Sequence, residues 1–175
     1  ITDLDSVVPT GYPRACRADV VGARTSNASL KKLCGKTTVA DLMALTPDDK
    51  KHAGKDRCIA FQTDVIVTDG PNQQALRPRT LEEAIVYENF GLLRAGTLSI
   101  GTTIRAPLDE AYQDVYDRVR SDTFKKTDFA MDILACDQHW LVPQYIREGL
   151  SWLEDRLCPP LVPATAAAVA VPAVA

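Results

Sequence analysis

The sequence predicts a mixed α/β domain whose C-terminal half is mostly helical. Three observations predict it: the opening ITDLDS, the β-branched and aromatic run RCIAFQTDVIV at 57–67, and three stretches of helical periodicity after Thr80. With 46% hydrophobic residues in 175, the chain can bury one core of ordinary size. One domain is expected over 1–157, followed by a tail over 158–175.

The elements follow in order. The opening apolar stretch reads as a strand that ends in Asp-x-Asp before Ser6. The chain begins with Ile inside that strand, so a piece of a longer protein is expected. After the short apolar piece at 20–23, Asn27 fits the N-cap of a helix reaching Cys34, with Gly35 as its stop. A second short helix at 39–45 ends before Pro47. Residues 57–67 read as a strand or two, closed by Asp69-Gly70. Thr80 and Glu83 have capping-box spacing and open TLEEAIVYENFGLL, with Leu81, Ala84, Ile85 and Leu92 at helical intervals. A helix is predicted at 127–137 with Phe129, Ala130, Ile133 and Leu134 on one stripe. Pro143 fits as the first residue of a last helix through Leu157, with Ile146, Leu150, Leu153 and Leu157 facing inward. Residues 159–175 are Pro, Ala and Val apart from one Leu and one Thr, and a disordered tail is predicted.

Composition narrows the function classes. Five cysteines at irregular spacing, with no CxxC pair, predict reduced, buried thiols rather than disulfides or a zinc site. No apolar run approaches the roughly 18 residues of a membrane span, so a soluble, cytoplasmic protein without a membrane partner is expected. His52 and His139 lack partners at ligand or triad spacing, and no GxSxG, Walker A or Rossmann glycine pattern occurs. The net charge of -3 is uneven: 11–57 holds ten basic against five acidic residues, and 108–155 holds eleven acidic against five basic. The basic segment suits phosphate binding; two solvated faces explain the same counts.

Asp3 and Asp5 are the first candidates for chemistry, because alternate residues of a strand share one side and open α/β folds place ligands at the carboxyl edge of the sheet. Two neighbouring carboxylates repel unless a cation or proton lies between them, which suits a divalent metal; turn starts and caps use the same pattern. Glu82 and Glu83 offer a further carboxylate, although adjacent helical residues point about 100° apart. They could equally stabilise a helix N-terminus. Lys126 prolongs the apolar stripe of Phe129, Ala130 and Ile133 at a place where a cation opposes the helix dipole. It could meet an anion such as a phosphate, or snorkel past the core edge.

The segments ITDLDS, GARTSNASLKKL, CIAFQ, RPRTLEEAIVYEN, KKTDFAMDIL and VPQYIREGLSWL, in this order, resemble the C-terminal Toprim nuclease region of OLD-family (overcoming lysogenization defect) ATP-dependent endonucleases. The resemblance implies a Rossmann-like Toprim fold, a compact parallel sheet flanked by helices, and cleavage of DNA with two Mg2+ or Mn2+ ions. It implies Asp3 and Asp5 as metal ligands, Glu82 or Glu83 as the later acidic ligand, Asp3 as the bridging ligand, and Lys126 acting on the phosphate. Ser6 and the triplet Thr25, Ser26 and Asn27 would line or support the site. A further catalytic glutamate, and an ATPase domain that would use ATP and form a homodimer, are expected upstream of Ile1. Without that glutamate, the fragment alone is expected to cleave poorly.

Two other classes fit parts of the pattern. A haloacid-dehalogenase-like phosphatase would use Asp3 as nucleophile and Asp5 as acid/base, but Ser6-Val7 replaces its usual Gly-Thr. A non-catalytic Toprim module would bind DNA or a partner through its helices.

Overall fold

The computed structural model describes residues 1–52, 56–98 and 103–158, and the expected tail at 159–175 lies outside them. Helices and small sheets alternate: β1 (Ser6–Val7), β2 (Arg24–Thr25), α1 (Ala28–Cys34), α2 (Val39–Met43), β3 (Lys51–His52), β4 (Arg57–Cys58), β5 (Val65–Asp69) and β6 (Asn72–Leu76). The helices α3 (Leu81–Glu88), α4 (Phe90–Arg94), α5 (Leu108–Arg120), α6 (Lys126–Ala135) and α7 (Gln144–Leu157) follow. The protein is thus mixed α/β with a helical second half.

The strands pair as β1–β2, β3–β4 and β5–β6, each antiparallel. Among the described residues no parallel sheet forms. The longest pair, β5–β6, turns at Gly70-Pro71 between the paired Asp69 and Asn72, with Gly70 at a φ of 60° that glycine adopts without strain.

Apolar side chains gather in two clusters. Leu4, Leu30, Leu42 and Phe61 anchor the first, beneath α1 and α2. The second packs α3, α4 and α5 on the β5–β6 hairpin through Leu76, Val86, Tyr87, Leu93, Tyr112 and Val115. No helix among the described residues is long and apolar enough to cross a membrane.

Helix α1 begins and ends as predicted. The Asn27 side chain accepts from the Ser29 and Leu30 amides, and Gly35 closes the helix at a φ of 65°. Several expectations are corrected. Residues 1–5 form no strand, and Asp5, at a φ of 47°, breaks the alternation that would have put Asp3 and Asp5 on one side. The run 57–67 yields only β4 and the start of β5, separated by the buried stretch Ile59, Ala60, Phe61 and Gln62. Thr80 is the N-cap of α3 but makes no cap bond, and Glu83 takes the Arg79 amide rather than that of Thr80. The stretch after Thr80 breaks at the buried Asn89 into α3 and α4. In α6, Phe129 and Ile133 face inward while Ala130 and Leu134 are exposed.

Helix α7 is rotated from its expected setting. Pro143 is its N-cap, Tyr145 is buried, and Leu150, Leu153 and Leu157 are 53%, 44% and 71% exposed. Gly149 lies so close to the body that an added Cβ would stand 2.9 Å from Ile1 Cγ1 and 3.1 Å from Ala60 Cβ. Close approach at Gly149 and burial of Tyr145 therefore select a face about 100° away from the leucine row. All five cysteines are free, but only Cys16 is buried.

Candidate functional site

The segment Asp3-Leu4-Asp5 is held through its carbonyls by three consecutive residues entering α1. Asn27 Nδ2 donates to Asp3 O at 2.8 Å, Thr25 Oγ1 to Leu4 O at 2.6 Å, and Ser26 donates from both its amide and its hydroxyl to Asp5 O at 3.0 Å. Asp5 N donates to Arg79 O, which fixes the left-handed turn at Asp5. Aspartate tolerates that conformation better than most residues, and such backbone settings concentrate at functional sites.

Gln62 holds the Asp3 side chain. It is wholly buried, its Oε1 accepts from the Leu4 amide at 2.8 Å, and its Nε2 therefore faces Asp3 Oδ1, to which it donates. The same Nε2 donates to the Tyr145 hydroxyl at 3.3 Å. The Leu81 amide and the Tyr145 hydroxyl also stand against the Asp3 carboxyl. Burial pushes the Asp3 carboxyl up, Gln62 opposes this, and the charges of Asp5 and Glu82 push it up further.

The two glutamates at the start of α3 differ in role. Glu83 is 1% exposed, and its Oε2 accepts from the Arg79 amide at 2.7 Å. Burial pushes its carboxyl up to about 7, against the amide and charge of Arg79 and with the charges of Glu82 and Asp3. Glu82 Oε1 lies 3.0 Å from the ammonium of Lys126, whose side chain is 62% exposed. Burial raises the Glu82 carboxyl, but the Thr80 hydroxyl and Lys126 together outweigh it and hold the group below its ordinary value. Arg79 Nη2 stands 4.0 Å from Asp5 Oδ1. Ser6 is wholly buried, and its hydroxyl donates to Cys16 O at 2.6 Å.

The fold thus brings Asp3, Asp5, Glu82, Glu83 and Lys126 into one neighbourhood and turns Ser6 away into the first apolar cluster. The donor set suits a hard divalent cation in kind: it is all oxygen, and Glu82 Oε2 and Glu83 Oε1 are buried without a hydrogen-bond partner. As the side chains stand, no three His, Cys, Asp or Glu among the described residues are gathered closely enough to hold an ion. Glu82 Oε1 is meanwhile paired with Lys126. Gln62, Tyr145 and Arg79 form no motif of their own in the sequence, although each lies within a segment of the family resemblance, CIAFQ, VPQYIREGLSWL and RPRTLEEAIVYEN respectively.

Comparison with known proteins finds no family model, no curated protein and no solved structure that matches this chain.

Proposed function

We propose that the chain is the Toprim-type nuclease part of an OLD-like ATP-dependent endonuclease, cleaving DNA phosphodiesters with divalent metal. The observation that carries the reading is the meeting of Asp3, from the chain start, with Glu82 and its Lys126 counter-ion. Acidic oxygens beside an exposed ammonium match what phosphoryl chemistry requires, a hard-metal ligand set and a donor for phosphate oxygen.

Bound Mg2+ or Mn2+ would supply a hydroxide nucleophile and neutralise the leaving oxygen. Asp3, Asp5 and Glu82 would hold it; Glu83, tied to the Arg79 amide, supports them from beneath. Lys126, freed from Glu82, donates to a non-bridging phosphate oxygen and offsets charge gathering there. Arg14, Arg24, Lys31, Lys32, Lys36 and Arg57 are exposed and available to the DNA backbone, whereas Arg17 pairs with Asp19 and Lys50 lies over Phe61. Binding through phosphates is salt-dependent and indifferent to sequence.

The test is nicking of supercoiled plasmid by a form of the chain extended upstream to include the expected glutamate. Cleavage should require Mg2+ or Mn2+, stop with chelator, and fall about 100-fold or more in Lys126→Ala. A folded, extended protein that binds DNA without ever nicking it would favour a binding module. A trapped aspartyl-phosphate on Asp3 would favour the phosphatase.

A further inference from the structure

Helix α7 carries an apolar row that the rest of the described chain leaves uncovered. Ile146 is half-buried, and Leu150, Leu153 and Leu157 are exposed. Their spacing of four, three and four residues is the a/d seam of a coiled coil. At its N-terminal end the row opens into a largely apolar groove of about 310 Å³ between α3, α6 and α7, lined by Leu81, Phe129, Leu134, Trp140 and Ile146, with the Glu82–Lys126 pair of the candidate site in its wall. Leu134, 80% exposed, stands at the edge of that groove.

We propose that this seam is a homodimer contact in which α7 packs antiparallel against α7 of a second copy. The inference does not depend on the nuclease reading. Charge beside the seam selects both the occupant and its direction. When Ile146 stands opposite the partner's Leu157, and Leu150 opposite the partner's Leu153, Arg147 comes beside the partner's Glu154. The two-fold axis repeats that pair, so one self-complementary patch yields two opposite-charge contacts. Parallel pairing would set Gly149, which has no charge, beside the partner's Glu154. Arg147 is available: its side chain is 55% exposed, with Glu88 Oε2 at a distant 3.9 Å from its Nη2. The same register aims the partner's Leu157 toward the groove beside Leu134 and Trp140, which accounts for an open apolar recess at that end of the row.

A seam of four positions per helix is small, so the dimer should be weak and concentration-dependent. Sedimentation velocity of the full chain over a wide concentration range tests it. A monomer–dimer equilibrium is expected, and Leu153→Asp should abolish it. Arg147→Glu or Glu154→Arg alone should weaken dimerisation about tenfold, because each replaces two attractive contacts with two repulsive ones. Combining the two reversals should restore it. All three positions are exposed, so circular dichroism should be unchanged; if Leu153→Asp loses helix, the charge swap still decides. A chain that stays monomeric throughout, a dimer indifferent to the single reversals, or a double reversal that fails to restore association would overturn the proposal.

Discussion

Glu83 shows how a single carboxyl can set the pH dependence of this fold. Its ordinary value of 4.5 is raised to about 7 by burial, which outweighs the opposing amide and charge of Arg79, with smaller upward pushes from the charges of Glu82 and Asp3. Between these values the folded chain holds a proton that the unfolded chain has released. This contribution to stability is therefore complete below pH 4.5 and is lost as pH rises through about 7. Glu83→Gln, which keeps an acceptor for the Arg79 amide, should flatten that decline by about 1–3 kcal/mol. Urea denaturation of both proteins across this pH range measures it; parallel slopes would show that Glu83 does not titrate in the fold. Gln62 works differently, since an amide holds Asp3 Oδ1 at any pH while its own orientation is set by the Leu4 amide.

At the scale of elements, α1 links helix capping to the acidic segment. The Asn27 Oδ1 accepts two amides of the first turn, while its Nδ2 donates to Thr2 Oγ1 and Asp3 O. Asn27→Ala should cost about 1–3 kcal/mol, combining cap loss with two lost donor bonds, and Asn27→Asp should cost less because it keeps the cap. Chemical denaturation of the pair separates these contributions; equal losses would mean that the cap contributes nothing. The boundaries of α1 were legible because Asn27 and Gly35 act within one turn of their own position. The orientation of α7 was not, because both of its faces are apolar enough to bury and a distant contact at Gly149 chooses between them. The helix α5 shows the converse. Its buried Leu108, Tyr112, Val115 and Val119 lie at helical intervals, but charged residues between them hid the period. The short strands escaped the pattern because two residues cannot display alternation. The acidic residues of the site could be named from sequence, but Gln62 and Tyr145, which hold Asp3 in place, could not, since they approach from 59 and 142 positions away.

Across the whole molecule, the chain start is clamped between residue 60 and the last helix. Thr2 N donates to Ala60 O at 3.0 Å, and Ile1 packs where Gly149 lacks a Cβ. Gly149→Ala favours the helix by about 1 kcal/mol, yet should destabilise the protein by about 1–2 kcal/mol on balance, because the added methyl meets Ile1 and Ala60. Thermal unfolding decides the sign; a more stable variant would mean that Ile1 yields freely. Ile1 stands two positions before Asp3, and the leucine row lies about 100° around the helix from the face that carries Tyr145 and Gly149. Helix α7 is therefore a short strut with one face open to whatever rests on the molecule and the adjoining face pressing on the root of the acidic segment. A load on the open face is passed through this one helix to Ile1. Crowding of the surface and the aim of the Asp3 carboxylate are thus mechanically in series.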